Sequence, residues 1–161
     1  MSEVIVYSGS ALSLIDDKSR LAIPANLRGK VDHSSGGRIV CIAKHESDPC
    51  LIGFGLSRQQ EMLREVDRAK EIALTRGEAF DRSREGRLAF TLLNEVSFDA
   101  SGRFVMPPLL KSVGGLKSHA YIHGCGHFFS IWDPEVLFDQ GDDFEDEKMA
   151  ARFFLDELKK K

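Results

Sequence analysis

The sequence has few cysteines and no long apolar run, and each shortage excludes a class of protein. Its three cysteines, Cys41, Cys50 and Cys125, are an odd number without a repeated spacing. Such cysteines fit free thiols in a reducing compartment better than a disulfide framework. No apolar run approaches the length of a membrane-spanning helix, and no basic stretch precedes an apolar one near the N-terminus. We therefore expect a cytoplasmic protein with no membrane partner.

The sequence also lacks an excess of positive charge. Its formal net charge is −3 at pH 7, which at first sight argues against nucleic acid as a partner. However, the segment from Asp139 onward holds eight acids and five bases, so residues 1–138 are neutral overall. A few basic side chains on one face, multiplied by oligomerisation, could still bind phosphate. Composition alone neither indicates nor excludes a nucleic-acid partner.

The chain contains an internal repeat. Residues 14–28 read LIDDKSRLAIPANLR and residues 97–111 read SFDASGRFVMPPLLK, so that the two segments align at an offset of 83 positions. The apolar positions of the two segments also coincide. The identical pairs include Asp16 with Asp99, Arg20 with Arg103 and Pro24 with Pro107, and Leu27 coincides with Leu110 among the apolar positions. Such a match over a short window indicates a duplication.

Each copy predicts a β-hairpin closed by a tight turn. An apolar strand leads to an aspartate, then to small or polar residues, an arginine and a second apolar strand. The aspartate side chain can cap the amides of such a turn, and Gly102 stands where a left-handed residue would close the second one. The first copy has Ser19 at that place, at a modest cost in backbone strain.

Proline after the second strand of each copy predicts a short helix. Pro24 and Pro107 lack an amide hydrogen, which the first turn of a helix does not need. We expect Gly29 in the first copy, and Gly114 with Gly115 in the second, to end these helices after one or two turns. A further strand pair then closes each copy.

The remaining segments predict longer helices. One covers residues 57–75, where Ser57 and Gln60 would form a capping box, and a second covers residues 81–93. The tail, about residues 142–161, has acids first and lysines last, as expected of a packed helix. Its apolar stripe consists of Phe144, Met149, Phe153, Phe154 and Leu158.

The elements predict an α+β protein with three segments. Residues 1–76 form the first repeat with its following helix. Residues 77–140 form a linker helix and the second repeat, and residues 141–161 form the acidic helical tail. Phe128, Phe129 and Trp132 lie on the predicted last strand of the second repeat, where such aromatic side chains are typical of core positions.

The two motifs together resemble the MraZ family of the SpoVT/AbrB swapped-hairpin superfamily. The resemblance covers roughly residues 8–140 and is carried by DDKSRLAIPANLR, FDASGRFVMPPLLK and GCGHFFSIWDPEV. It is specific because the D-x-x-x-R motif, followed by apolar residues and a proline, occurs twice. The resemblance implies two tandem swapped-hairpin modules that form an intrachain pseudo-dimer, and a homo-oligomer in which chains close into a ring.

The resemblance also implies a transcriptional repressor without a cofactor or small-molecule substrate, not an enzyme, located on the nucleoid. The family binds double-stranded DNA at repeated promoter elements of the division and cell-wall gene cluster. Its D-x-x-x-R turns contact the DNA. The corresponding residues in this chain are Asp16, Lys18, Arg20, Asp99 and Arg103. This chain departs from the family at Ser19, where glycine is usual.

Alternatives stay open at this point. The closely spaced His119, His123, Cys125 and His127 could bind zinc in a metal-dependent enzyme, although the glycines between them predict a turn that would separate them. An AbrB-like antitoxin, which binds a toxin and DNA, is another alternative, but such proteins usually carry one hairpin copy. Each motif arginine could also simply brace its own turn by pairing with the aspartate of its motif.

Overall fold

The computed structural model describes residues 4–161, so the first three residues of the predicted N-terminal segment lie outside the described residues. The strands are β1 (Ser10–Leu14), β2 (Arg20–Ala22), β3 (Ile39–Lys44), β4 (Leu51–Phe54), β5 (Asn94–Ser97), β6 (Arg103–Val105), β7 (His119–Gly124) and β8 (Phe129–Trp132). The helices are α1 (Ala25–Ser35), α2 (Ser57–Thr75), α3 (Arg82–Phe90), α4 (Pro108–Val113), α5 (Pro134–Phe138) and α6 (Glu145–Lys159). Among the described helices, none is long and apolar enough to cross a bilayer.

The fold is α+β, as predicted. Six strands form one antiparallel sheet in the order β1-β7-β8-β4-β3-β5, and β2 and β6 form a separate two-stranded ribbon. The order of the large sheet is symmetric with respect to the repeat, because β1, β3 and β4 of the first copy correspond to β5, β7 and β8 of the second. The sheet therefore places equivalent strands at equivalent distances from its centre.

The strands on either side of each turn pair with the other copy rather than with each other, so a simple local hairpin is not what forms. The edge strand β1 pairs with β7, the edge strand β5 pairs with β3, and β2 pairs with β6. Two further backbone bonds join the copies in equivalent places, from the Ile23 amide to the Gly102 carbonyl and from the Met106 amide to the Ser19 carbonyl, both 2.9 Å long. The backbone of each copy thus satisfies the hydrogen bonds of the other.

A single large core draws its side chains from both copies. It includes Leu21, Leu27 and Val31 from the first copy and Phe104, Met106 and Leu110 from the second, all buried. Each such side chain contributes about 1.5–3 kcal/mol when it is fully buried. Phe129 and Trp132 are both 1% exposed, as predicted, and Trp132 lies in a smaller cluster beneath α6.

The prolines begin helices as predicted, but one of the glycines does not end its helix. Pro24 precedes α1 and Pro107 precedes α4, and α4 ends at Gly114 and Gly115 as expected. The helix α1 continues through Gly29 to Ser35 and ends at Gly36, whose φ is 65°. A glycine inside a helix costs only about 1 kcal/mol. The burial of Leu27 and Val31 along α1 outweighs that cost.

The linker helices follow the sequence pattern with two differences. The helix α2 has the predicted bounds but no capping box, because the Ser57 hydroxyl lies 2.5 Å from that of Ser34 and no side chain caps the helix. The helix α3 begins as predicted after Asp81, whose carboxylate accepts the Arg84 amide at 3.1 Å. It ends at Phe90 instead of residue 93, because β5 already begins at Asn94.

The tail forms a short 3₁₀ turn (Asp142–Phe144) followed by α6. The helix packs on β1 and α5, and its buried residue is Ala151. Phe154 packs at the edge of the cluster around Trp132, whereas Met149 is 64% exposed and Phe153 is 59% exposed. The predicted apolar stripe is therefore only partly covered within a single chain, because β1 covers only some of the apolar surface.

Candidate functional site

The first turn, residues 16–20, is organised by one carboxylate. Asp16 Oδ1 accepts hydrogen bonds from the backbone amides of Lys18 at 3.0 Å and Arg20 at 2.8 Å. The backbone closes the same turn, because the Ser19 amide donates to the Asp16 carbonyl at 3.0 Å and the Asp16 amide donates to the Arg20 carbonyl at 3.0 Å. The aspartate therefore caps the turn as the sequence predicts.

The second turn, residues 99–103, repeats this network. Asp99 Oδ1 accepts the amides of Ser101 and Arg103, both at 2.9 Å. The Gly102 amide donates to the Asp99 carbonyl at 2.9 Å, and the Asp99 amide donates to the Arg103 carbonyl at 3.0 Å. The duplicated motif thus folds into the same turn twice.

Both aspartates are held in the charged form. The hydrogen bond from the Arg20 amide is the largest cause that lowers the pKa of Asp16, and the ion pair with the Arg20 side chain lowers it further. The hydrogen bond from the Arg103 amide is the largest cause that lowers the pKa of Asp99. Amide donors favour the carboxylate over the neutral acid. Each turn therefore carries a fixed negative charge beside its arginine at neutral pH.

The two turns differ at the left-handed residue. Ser19 has a φ of 63° and is the one non-glycine residue with positive φ in residues 4–161, whereas Gly102 has a φ of 80°. A side chain in this conformation costs about 1–2 kcal/mol. The Ser19 hydroxyl is bound by the Lys111 ammonium at 3.0 Å. A serine cannot take the place of Gly102 without a clash, because an added Cβ would lie 2.4 Å from Arg28 Nε and 2.8 Å from the Ile23 carbonyl.

The two motif arginines both approach Asp16. Arg20 Nε donates to Asp16 Oδ2 at 2.7 Å, and an Arg103 terminal nitrogen lies 3.7 Å from the same oxygen. The alternative that each arginine pairs with the aspartate of its own motif holds for Arg20 but not for Arg103. The side chains of Arg20 and Arg103 stay 41% and 49% exposed. The ribbon of β2 and β6 therefore presents two neighbouring guanidinium groups to solvent.

Lys18 lies at the apex of the first turn. Its side chain is exposed and forms no hydrogen bond or ion pair with any residue between 4 and 161, while its backbone amide binds Asp16. The equivalent stretch of the second turn, Ala100 and Ser101, carries no charge. The first turn has Asp17 and Lys18 at these two positions, so the two turns have the same net charge, but only the first has a basic side chain at its apex.

Two basic residues behind the turns were missed by the sequence analysis. Lys111 binds Ser19 of the first turn, and Arg28 lies against Gly102 of the second turn while it donates to the Ile23 carbonyl at 3.1 Å. They occupy equivalent positions, since Arg28 and Lys111 end the two aligned segments. Their shared positive charge in the alignment was the signal that could have identified them.

The histidine-rich segment does not form a metal-ligand cluster. His119 and His123 lie on β7, and Cys125 and His127 lie in the following turn, where Gly126 has a φ of 89°. The Cys125 sulfur is 3.6 Å from His123 Nδ1, but no group of three potential ligands suited to a metal occurs within residues 4–161. Burial lowers the pKa of His123 and raises the pKa of the Cys125 thiol, so both groups favour their neutral forms.

Comparison with known proteins identifies the relatives of the chain. No family model matches it. Proteins named Transcriptional regulator MraZ match it over most of its length. The one from Roseiflexus castenholzii is 33% identical over 80% of this chain and 82% of its own length, and the one from Methylococcus capsulatus is 32% identical over 78% and 77%. The one from Sodalis glossinidius is 28% identical over 93% of this chain and 94% of its own length.

These relatives are all named as transcriptional regulators. Their identity and coverage place this protein in the same class. The chain belongs to the MraZ family of transcriptional regulators.

Proposed function

We propose that this protein is a cofactor-free repressor that binds double-stranded DNA through its two Asp-Arg turns. The observation that carries the proposal is the convergence of Arg20 and Arg103, both exposed, on one two-stranded ribbon. The DNA-binding residues would be Asp16, Lys18, Arg20, Asp99 and Arg103. The expected targets are repeated promoter elements of the division and cell-wall gene cluster, bound at the nucleoid in the cytoplasm.

The shape and chemistry of the ribbon suit the major groove of DNA. That groove is about 12 Å wide and admits a two-stranded β-ribbon. An arginine guanidinium can donate two parallel hydrogen bonds to O6 and N7 of guanine, and Asp16 can hold Arg20 in the orientation that this contact needs. Lys18 at the apex would contact phosphate, which supplies affinity rather than sequence preference.

The strand pairing supports a swapped-hairpin pseudo-dimer as the unit that binds. Because β1 pairs with β7 and β5 pairs with β3, the two repeats share one sheet and one core. The proposed division into residues 1–76, 77–140 and 141–161 then describes the sequence repeat, not separately folded bodies. The shared ribbon fixes the position of one turn relative to the other.

Useful affinity would require several chains. The net charge of −3 leaves each chain without an excess of cations to offset the repulsion of DNA. A homo-oligomer, such as the ring that the family resemblance implies, would present several ribbons to repeated DNA elements at once. Linked sites raise affinity through effective concentration without any new contact.

Selection of bound DNA from a random pool tests the proposal. The wild-type protein should enrich a short repeated element, whereas the double variant Arg20→Ala/Arg103→Ala should enrich none and still fold and elute as the wild type does. Arg64→Ala, which changes an exposed arginine on α2, is the matched control and should select the wild-type element. Enrichment of the same element by the double variant would contradict the proposal.

A further inference from the structure

A groove opens beside the first turn. The proposed DNA contacts do not use it. Its volume is about 390 Å³. One wall comes from the turn itself, at Ser19, and the others come from α4 and the loop that follows it. The lining residues are Ser19, Pro108, Lys111, Ser112, Gly115, Leu116 and Lys117. The groove therefore combines two lysines and two hydroxyls, with no acid among its lining residues.

The Ser19 hydroxyl and the Lys111 ammonium are oriented to bind an anion together. Lys111 Nζ donates one hydrogen bond to Ser19 Oγ at 3.0 Å, and an ammonium group has three protons. Two of its protons therefore stay available. Since the Ser19 oxygen accepts from Lys111, its own proton is free to donate into the groove.

Lys117 supplies a second cation that can be released at little cost. Its partner among the described residues is Glu135, at 3.3 Å, and the two side chains are 70% and 79% exposed. Ion pairs this exposed contribute little to stability, so an incoming anion can replace Glu135. The equivalent of Lys111 in the first copy cannot act in this way, because Arg28 is directed inward at Ile23 and Gly102.

We propose that this groove, named here the Lys111 groove, binds a backbone phosphate of the DNA that the turns hold. Lys111 and Lys117 would act as point charges on the phosphate, and Ser19 would donate a hydrogen bond to it. The inference rests on the proposed function. It explains why the first turn keeps Ser19 in a left-handed conformation that glycine would adopt without strain, because glycine would remove a phosphate donor.

The test measures affinity for the selected DNA element as a function of salt in full-length protein. Lys111→Gln and Lys117→Gln should each weaken binding to the selected element and to unrelated DNA by the same factor. Each should also reduce the slope of log K against log salt by about 1, as loss of one phosphate contact does. The selected sequence should not change.

Two controls separate a phosphate contact from a structural role. Lys70→Gln, on the exposed surface of α2, should keep the wild-type slope. Ser19→Gly removes the proposed phosphate donor but keeps both lysines, so it should weaken binding to all DNA while it keeps the wild-type slope, because no cation is lost. Wild-type slopes for both Lys111→Gln and Lys117→Gln, in proteins that still recognise the element, would overturn the groove alone. Failure of the wild-type protein to select any element would overturn the proposed function and the groove with it.

Discussion

In the first turn Asp16 accepts two backbone amides, and in the second turn Asp99 accepts the two equivalent amides. The charged side chains around these matching backbones differ in identity and position. The first turn has Lys18 at its apex, Lys111 behind it and an arginine held at 2.7 Å, whereas the second turn has no apical lysine and an arginine that its own aspartate does not hold. The duplication has therefore kept the residues that shape the backbone and has varied other charged residues around the turns.

The largest expected effect is a loss of DNA affinity, which should differ between single substitutions of the two arginines. Arg20→Ala should weaken binding to the selected element by roughly 1–3 kcal/mol per chain, the range for a base-contacting arginine. Arg103→Ala should cost less, because Arg103 lies 3.7 Å from Asp16 and is not held in one orientation. Titration of labelled DNA at one salt concentration measures both. Equal losses would show that orientation by Asp16 adds nothing, and wild-type affinity of both variants would leave the turns without a binding role.

Making the second turn resemble the first should destabilise the fold. Gly102→Ser places a side chain at a φ of 80°, against Arg28 and the Ile23 carbonyl, with an expected loss of about 1–2 kcal/mol in the free energy of unfolding. Gly29→Ala is the control, since Gly29 lies in a helix with open space around it, and it should stabilise the protein by about 0.5–1 kcal/mol. Urea denaturation measures both variants. A Gly102→Ser protein as stable as the wild type would contradict the strain argument.

The two turns should also differ in how much their aspartates make the stability of the protein depend on pH. Their pKa values are lowered in the fold, so their stabilising effect is present above the unfolded value, about 4, and is lost as the pH falls through the folded values. Asp16→Asn and Asp99→Asn should each flatten the fall in melting temperature as the pH is lowered below about 4. The effect of Asp16→Asn should be larger because Asp16 also pairs with Arg20. Melting curves across pH 2–7 measure it, and wild-type slopes in both variants would show that the carboxylates do not stabilise the turns.

The smallest expected effect comes from making the first turn resemble the second. Ser19→Gly relieves the left-handed conformation but removes the hydrogen bond from Lys111, so the two changes oppose each other. We expect a change in unfolding free energy below about 1 kcal/mol, because a typical hydrogen bond and the strain are of similar size. Denaturation alongside Gly102→Ser gives the comparison. A loss as large as that of Gly102→Ser would mean that the Lys111 contact dominates the turn.

Features fixed by neighbouring residues could be predicted from the sequence, and features fixed by distant residues could not. The caps by Asp16 and Asp99 and the helix start at Pro24 depend on a few adjacent positions, and they form as predicted. The continuation of α1 past Gly29 depends on a core assembled from both copies.

The missed contacts in the candidate site have the same cause. Lys111 and Ser19 are 92 positions apart in the chain, and only the pairing of β2 with β6 brings them together. The approach of Arg103 to Asp16 likewise needs the ribbon. A local pattern could identify the turns but not the residues that surround them.

The exchange of strands between the copies also determines when each strand can pair during synthesis on the ribosome. Leu14 pairs with His119, which is 105 positions later, so β1 has no native partner until β7 has been translated. At about 5–20 residues per second, that interval lasts roughly 5–20 s. During this time the nascent chain carries an unpaired strand of five residues, SALSL, whose two serines make it a poor template for association with other chains. A short, partly polar β1 therefore suits a protein in which this strand stays unpaired until β7 has been synthesised.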